Sequence, residues 1–232
     1  MALSTWWQGD PLPELAPLPG LTVAACADVA RLAAINGIAA GEAEARLAAG
    51  HRAYLAALDG EPVAYGWVAT VGADVGELGL RFSLPDEDRY LWDFATQPAY
   101  RGRGIYPRLL QGILAAEGEG ASARRFWVIH APENLASGAG IRKAGFQAVS
   151  ELSFHREQGV GSQALAGDEH DRATVGARVL GVALVEAVRA GRLLSPCWRC
   201  VLAARSGEAE HVPCWERAGE AHQCACILAP AA

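Results

Sequence analysis

Apolar and polar positions along the chain follow two periods, and each change of period marks a new element. Residues 91–96 (Leu-Trp-Asp-Phe-Ala-Thr) are apolar and aromatic with a single acid, Asp93, which suits a strand that Pro98 brings to an end. From Ile105 the apolar residues fall at Leu109, Leu110, Ile113 and Leu114, a helical stripe that runs to about Gly118. Pro107 sits in the first turn of that helix, where the N–H groups lack intrahelical partners in any case. Upstream, the pattern predicts a strand over 21–25 and two short helices, broken at Asn36-Gly37 and at Gly50. Residues 51–58 and 62–70 flank Asp59-Gly60, a hairpin signature in which the dipeptide supplies positive φ. An extra strand is expected near Leu78–Phe82, with the acidic Asp86, Glu87 and Asp88 in a solvated loop after it. Strands over 125–130 and 146–155 follow, then a helical stripe over 172–190 through Val175, Val179, Leu180, Leu184 and Val188. Residues 1–20 carry four prolines and two tryptophans and read as an extended arm packed on the domain.

At 232 residues the chain is long enough for one large domain or a domain with a smaller module. No apolar run approaches a membrane span, and the start lacks the basic and apolar regions of a signal peptide, so a cytoplasmic protein is expected. A net charge of −6 gives no electrostatic case for nucleic acid or an anionic membrane, and mildly suits a cationic or amine substrate. Six cysteines in such a chain argue against a disulfide framework and towards free thiols or metal.

The candidate chemistry centres on Arg101-Gly102-Arg103-Gly104, between the strand over 91–96 and the helix from 105. Glycines let backbone approach a bulky anion, free N–H groups at a helix start favour one, and arginines add forked donors for phosphate oxygens. A phosphate or pyrophosphate cradle is one reading; a flexible basic turn is the other. The dinucleotide fingerprint fails for want of a third glycine, since Tyr106 and Pro107 follow Gly104, and no Gly-Lys-Ser/Thr triplet completes a P-loop. Downstream come Arg125-Phe-Trp-Val-Ile-His130, Asn134-Leu-Ala-Ser137 and Lys143-Ala-Gly-Phe146.

In this order the elements resemble the GNAT superfamily (Gcn5-related N-acetyltransferases), whose acetyl-CoA motif is Gln/Arg-x-x-Gly-x-Gly/Ala. The resemblance covers about residues 21–157. It implies a mixed, twisted α/β sheet with helices on both faces, and acetyl-CoA as co-substrate. It also implies that the strand before the cradle splays from its parallel neighbour, leaving backbone at Ala95 and Thr96 to bind the pantetheine arm. Arg101, Gly102, Arg103, Gly104, Ile105, Tyr106, Asn134 and Ser137 complete the expected cofactor-binding set. The acceptor would be a primary amine, on a small molecule or a protein, attacked directly in a ternary complex.

Three side chains are candidates for proton transfer. Asp93 is the only ionisable group on its strand, either as base, as a binder of the substrate ammonium, or as a carboxylate satisfied by backbone or arginine. His130, at the end of the next strand, is the other candidate base or a structural histidine. The family's usual acid, a tyrosine seven residues after the Asn, is here Ile141; Tyr106, in place of the cradle's last small residue, either takes over that role or merely covers the cofactor. Asn134 caps the following helix or contacts the cofactor. Leu91-Trp92-Asp93-Phe94 is similar to the Leu-Glu-Asp-Phe of polyamine acetyltransferases, but Trp92 replaces their Glu, so polyamine specificity does not carry over. The alternatives are a non-catalytic acyl-CoA-binding or interaction protein, and an acyltransferase using a longer acyl-CoA.

These readings divide the chain into an arm (1–20), a GNAT-like domain (21–158) and a C-terminal extension (159–232). Five of the six cysteines lie in that extension. Cys197, Cys200, Cys214 and Cys224 could hold a structural zinc ion, although the Cys-x-Cys at 224–226 is not a usual zinc spacing; buried inert thiols are the alternative. The extension would otherwise pair with the core sheet, roof the acceptor cleft or form a homodimer contact.

Overall fold

The computed structural model describes residues 1–118, 123–131, 134–155, 159–165 and 170–185. In chain order the elements are β1 (Ala2–Trp7), β2 (Leu21–Cys26), α1 (Val29–Asn36), α2 (Ala40–Ala48), β3 (Arg52–Leu58) and β4 (Glu61–Ala69). There follow β5 (Gly72–Val75), β6 (Leu80–Ser83), β7 (Asp88–Thr96), α3 (Ile105–Gly118), β8 (Arg125–His130) and α4 (Leu135–Lys143). The described chain closes with β9 (Gln147–His155), β10 (Gly159–Ala164), α5 (His170–Leu180) and β11 (Ala183–Leu184).

Local chemistry sets many of these boundaries. The Asp28 carboxylate accepts from the Arg31 N–H at 3.0 Å to cap α1, which ends where Gly37 turns left-handed at φ 69°. Asp59 and Gly60 take φ 51° and 87°, the two positive values that the β3–β4 hairpin needs. Pro62 lies in β4 beside a register shift at Ala56/Ala57, which accommodates a residue with no N–H.

Among the described residues nine strands form one mixed sheet in the order β11-β10-β9-β1-β8-β7-β4-β3-β2, while β5 and β6 pair separately as a hairpin. Alternation along the strands feeds both faces. Tyr54, Ala56, Leu91, Phe126 and Val128 pack under α3 with Leu109, Ile113 and Ile141. On the other face Leu55, Tyr65 and Trp67 meet Leu32 of α1 and Ala43 of α2. Leu3, Trp127, Val149 and Leu152 meet Ala173 and Leu180 of α5, together with Val75, Leu78 and Phe82 from the β5–β6 region. Helices therefore flank the sheet on both faces, as expected.

The structure differs from four expectations. Residues 1–20 are not simply an arm: β1 lies inside the sheet, antiparallel to β8 on one side and β9 on the other. Leu3, Ser4 and Thr5 are buried, with the Thr5 hydroxyl donating to the Phe126 carbonyl at 2.8 Å, so polar residues there mark a strand covered on both faces. The boundary at 158 also falls within the sheet, because β10 pairs with β9 and β11 with β10. The helix expected over 172–190 stops at Leu180, where Gly181 turns to φ 67°. The acidic cluster is only partly solvated: Asp88 is fully buried, accepting from Arg125 Nε at 2.5 Å and Trp127 Nε1 at 3.2 Å. The proposed zinc ligands Cys197, Cys200, Cys214 and Cys224 lie outside the described residues. Among the described residues no group of three or more His, Cys, Asp or Glu could hold a metal ion, and no helix is long and apolar enough to cross a membrane.

Candidate active site

The sheet opens at its centre. Parallel β7 and β8 pair only from Asp88↔Arg125 to Leu91↔Val128, although β7 continues to Thr96 and β8 to His130. Ion pairs hold the closed end. Besides the Asp88–Arg125 contact, Glu117 of α3 is fully buried and receives Arg89 Nε at 3.0 Å, Arg52 Nη1 at 2.8 Å and the Tyr54 hydroxyl at 2.7 Å. Arg125 thus belongs to this closed end, away from the open one.

On its other side β7 carries a bulge. The register passes from Trp67↔Trp92 to Tyr65↔Ala95, so Asp93 and Phe94 together oppose Gly66, and Asp93 takes φ 49°. The Phe94 ring lies where a Cβ on Gly66 would be, 1.9 Å from its Cε1.

Two cavities occupy the open end and share Phe94, Tyr106, Asn134 and Ser137 as a common wall. The first, about 550 Å³, is lined by Ala95, Thr96, Arg101, Gly102, Gly104, Ile105 and Tyr106 on one side. Asn134, Ser137, Gly140 and Lys143 line its α4 side. Gly102 and Gly104 have φ 77° and 71°, in the region that L side chains rarely adopt. Ile105, Tyr106 and Pro107 bring to this cavity the first turn of α3, whose N–H groups have no intrahelical partner. Of the expected cofactor-binding residues only Arg103 does not line it; its guanidinium lies over the Tyr100 ring at 5.2 Å. Arg101 Nε donates to the Thr96 carbonyl at 3.1 Å, bracing the turn onto the end of β7. Asn134 caps α4, its side-chain oxygen accepting from the Ser137 N–H at 3.0 Å, and still borders both cavities.

The second cavity, about 520 Å³, holds the proton-transfer candidates Asp93, Tyr106 and His130, with Arg46, Asp74 and Trp92 on its walls. Tyr106 sits at the junction. Its ring is 5.5 Å from that of Phe94 and rests against Gly140, and burial pushes its hydroxyl up to about 12, with Ser137 opposing the shift. His130 is lowered from its ordinary range by burial, then by the N-terminal ammonium and Arg142. Its Nδ1 is buried without a hydrogen-bond partner among the described residues. Asp93 is tied instead: Oδ2 accepts from Arg46 Nη1 at 2.5 Å and Asn36 Nδ2 at 3.3 Å. Ile141, at the position of the family's usual tyrosine, is wholly buried in the core.

The sequence model of the Acetyltransferase (GNAT) family matches residues 30–146, half of the chain and the segment that carries the lining of both cavities apart from Met1. The chain belongs to the GNAT family. Solved structures to which the chain is similar include a GCN5-related N-acetyltransferase from Kribbella flavida, at 21% identity and a TM-score of 0.44. That alignment covers 63% of this chain and 53% of the other, so this chain spans about half the length of that relative. An acetyltransferase from Salmonella typhimurium that modifies the N-terminal serine of ribosomal protein L7/L12 aligns at 14% identity, covering 60% of this chain and 87% of its own, with a TM-score of 0.47. An aminoglycoside acetyltransferase in complex with coenzyme A and kanamycin aligns at 17% identity, 60% and 90% coverage and a TM-score of 0.46. No curated protein matches the chain.

Within this GNAT architecture, sequence reasoning missed the residues that reach the site from α1, α2 and β4. Arg46, Asn36 and Trp67 gather around Asp93, and Trp67 Nε1 donates to Asn36 Oδ1 at 2.7 Å. The only local hint was the Glu42/Arg46 spacing of four, which forms an ion pair at 2.7 Å.

Proposed function

We propose that the chain is an N-acetyltransferase that moves the acetyl group of acetyl-CoA to a primary amine, of a small molecule or a protein, by direct attack in a ternary complex. The observation that carries this reading is the pair of cavities meeting at Tyr106, one bordered by the glycine turn and a helix start, the other holding a histidine with an unpartnered ring nitrogen. The co-substrate supplies an activated acetyl thioester. Arg101, Lys143, the Gly102–Gly104 backbone and the first turn of α3 offer cations and donors suited to its diphosphate. Ala95 and Thr96 lie beyond the last β7–β8 pair, where the strand is free on that side to accept an extended arm.

On the acceptor side His130 is the base. Its lowered pKa keeps the ring neutral near pH 7, so one ring nitrogen retains a lone pair for an ammonium proton. Tyr106, held protonated by burial, donates to the departing thiolate and replaces the tyrosine that Ile141 does not supply. Asp74 and Trp92 line both this cavity and a smaller one of about 350 Å³ against the β5–β6 hairpin, and form the route for an amine-bearing acceptor.

Turnover against an amine panel, read as coenzyme A thiol release, tests the proposal. Release that vanishes in Tyr106→Phe and His130→Asn, with coenzyme A still bound by calorimetry, is the expected result. Binding without release from the unmodified protein over the whole panel would instead identify a non-catalytic acyl-CoA-binding protein.

A further inference from the structure

Asp93 of β7 has the place of a base but not the surroundings of one. Asp93 is a non-glycine residue in the left-handed region, and the bulge it forms sets where Phe94 and Ala95 lie relative to both cavities. What keeps it there comes from three other elements. Arg46 of α2 and Asn36 of α1 both donate to Oδ2, and the Tyr65 hydroxyl of β4, its pKa raised first by burial, also feels the carboxylate, which raises it further. Arg46 is itself immobilised. Its guanidinium lies 5.0 Å from the Trp67 ring centre and 4.6 Å from that of Trp92, its second nitrogen pairs with Glu42 at 2.7 Å, and its first also reaches Asn36 Oδ1 at 3.4 Å. The other charged or titratable groups bearing on the cluster are His51, which feels Arg46 and Asp74, and Asp74 on the cavity wall. A carboxylate committed to so many donors is arranged to be held still.

We infer that Asp93 is a positioning residue: through Arg46 and Asn36 its carboxylate pins the bulge of β7 to helices α1 and α2, and so fixes the strand that faces both cavities. The kinetic arm of the test rests on the acetyl-transfer reading above.

Asp93→Asn keeps an oxygen for Arg46, Asp93→Ala removes it, and Arg46→Ala removes the donor. Positioning requires that Asp93→Asn lose less than about tenfold in kcat/KM, short of the roughly 10²- to 10⁴-fold cost of deleting a general base. Its acidic pH limb should match that of the unmodified protein. Asp93→Ala and Arg46→Ala should each lose about 10²-fold, the scale of a 1 Å misplacement, and the double variant no more than either. Should Arg46→Ala fail to fold, Arg46→Lys, which keeps the charge without the planar fork, takes its place with the same expected loss. The inference is overturned if Asp93→Asn is as damaged as Asp93→Ala and loses its acidic limb, or if either Arg46 variant keeps full turnover.

If no amine is turned over, the transfer reading fails but this one remains testable through acetyl-CoA affinity by calorimetry. Asp93→Ala and Arg46→Ala should then weaken binding by the same factor without adding, and Asp93→Asn should not; unchanged affinity in Asp93→Ala would overturn it.

Discussion

Replacing Gly140 by alanine adds one methyl group on the face of α4 that meets Tyr106. Its Cβ would stand 2.3 Å from Tyr106 Cδ1 and 2.9 Å from Cε1, short of the 3.4 Å of ordinary contact by 1.1 Å at the nearer atom. The helix backbone cannot yield readily, because Gly138 and Ile141 on either side are buried, so the Tyr106 ring must retreat by about that distance. Stability should change little. Alanine favours a helix interior over glycine by about 0.8–1 kcal/mol, and overpacking a core costs about 1–3 kcal/mol, leaving at most a few degrees in Tm. Catalysis should change much more, because a hydroxyl moved by about 1 Å loses on the order of 10²-fold in rate. Thiol-release kinetics at saturating acetyl-CoA, beside a thermal melt of the same preparation, separates the two effects. A Gly140→Ala protein that melts normally and keeps kcat within about threefold would refute the placing of Tyr106 as the acid.

The remaining predictions concern pH and the buried charges. Because burial lowers His130, kcat/KM should hold level from pH 6.5 upward on its account and fall only below that, with the acidic limb absent in His130→Asn; a limb centred above 6.5 would argue for another base. Glu117→Gln strips the carboxylate from Arg89, itself 6% exposed, and should cost about 3–5 kcal/mol in urea denaturation, as breaking a buried ion pair does; an unchanged midpoint would mean that the closed end of the β7–β8 opening is held by something else. Asp10 is lowered from 3.8 chiefly by its hydrogen bond to Arg172, so its stabilisation is complete above pH 3.8 and lost as pH falls through the lower folded value. Acid titration of Tm should therefore show a steeper loss below pH 4 in the unmodified protein than in Asp10→Asn, and parallel curves would count against the pair.

What could be read from the chain alone was encoded among near neighbours. The apolar stripe through Leu109 and Ile113, the Asp59-Gly60 turn and the Asn134 cap each depend on residues a few positions apart, and the family motifs place Gly102, Gly104 and Tyr106 beside a cavity. Tertiary structure decided the pairings between distant segments. Ala2 faces His130 and Glu151 across two strands, and no local pattern distinguishes such an inserted strand from a surface arm, because its partners lie more than a hundred residues away. Asp93 had three possible readings until folding brought Arg46, 47 residues upstream, onto its carboxylate. The backbone strain it accommodates is likewise invisible to composition, since it follows from a register shift between β4 and β7 that exists only once both strands are paired.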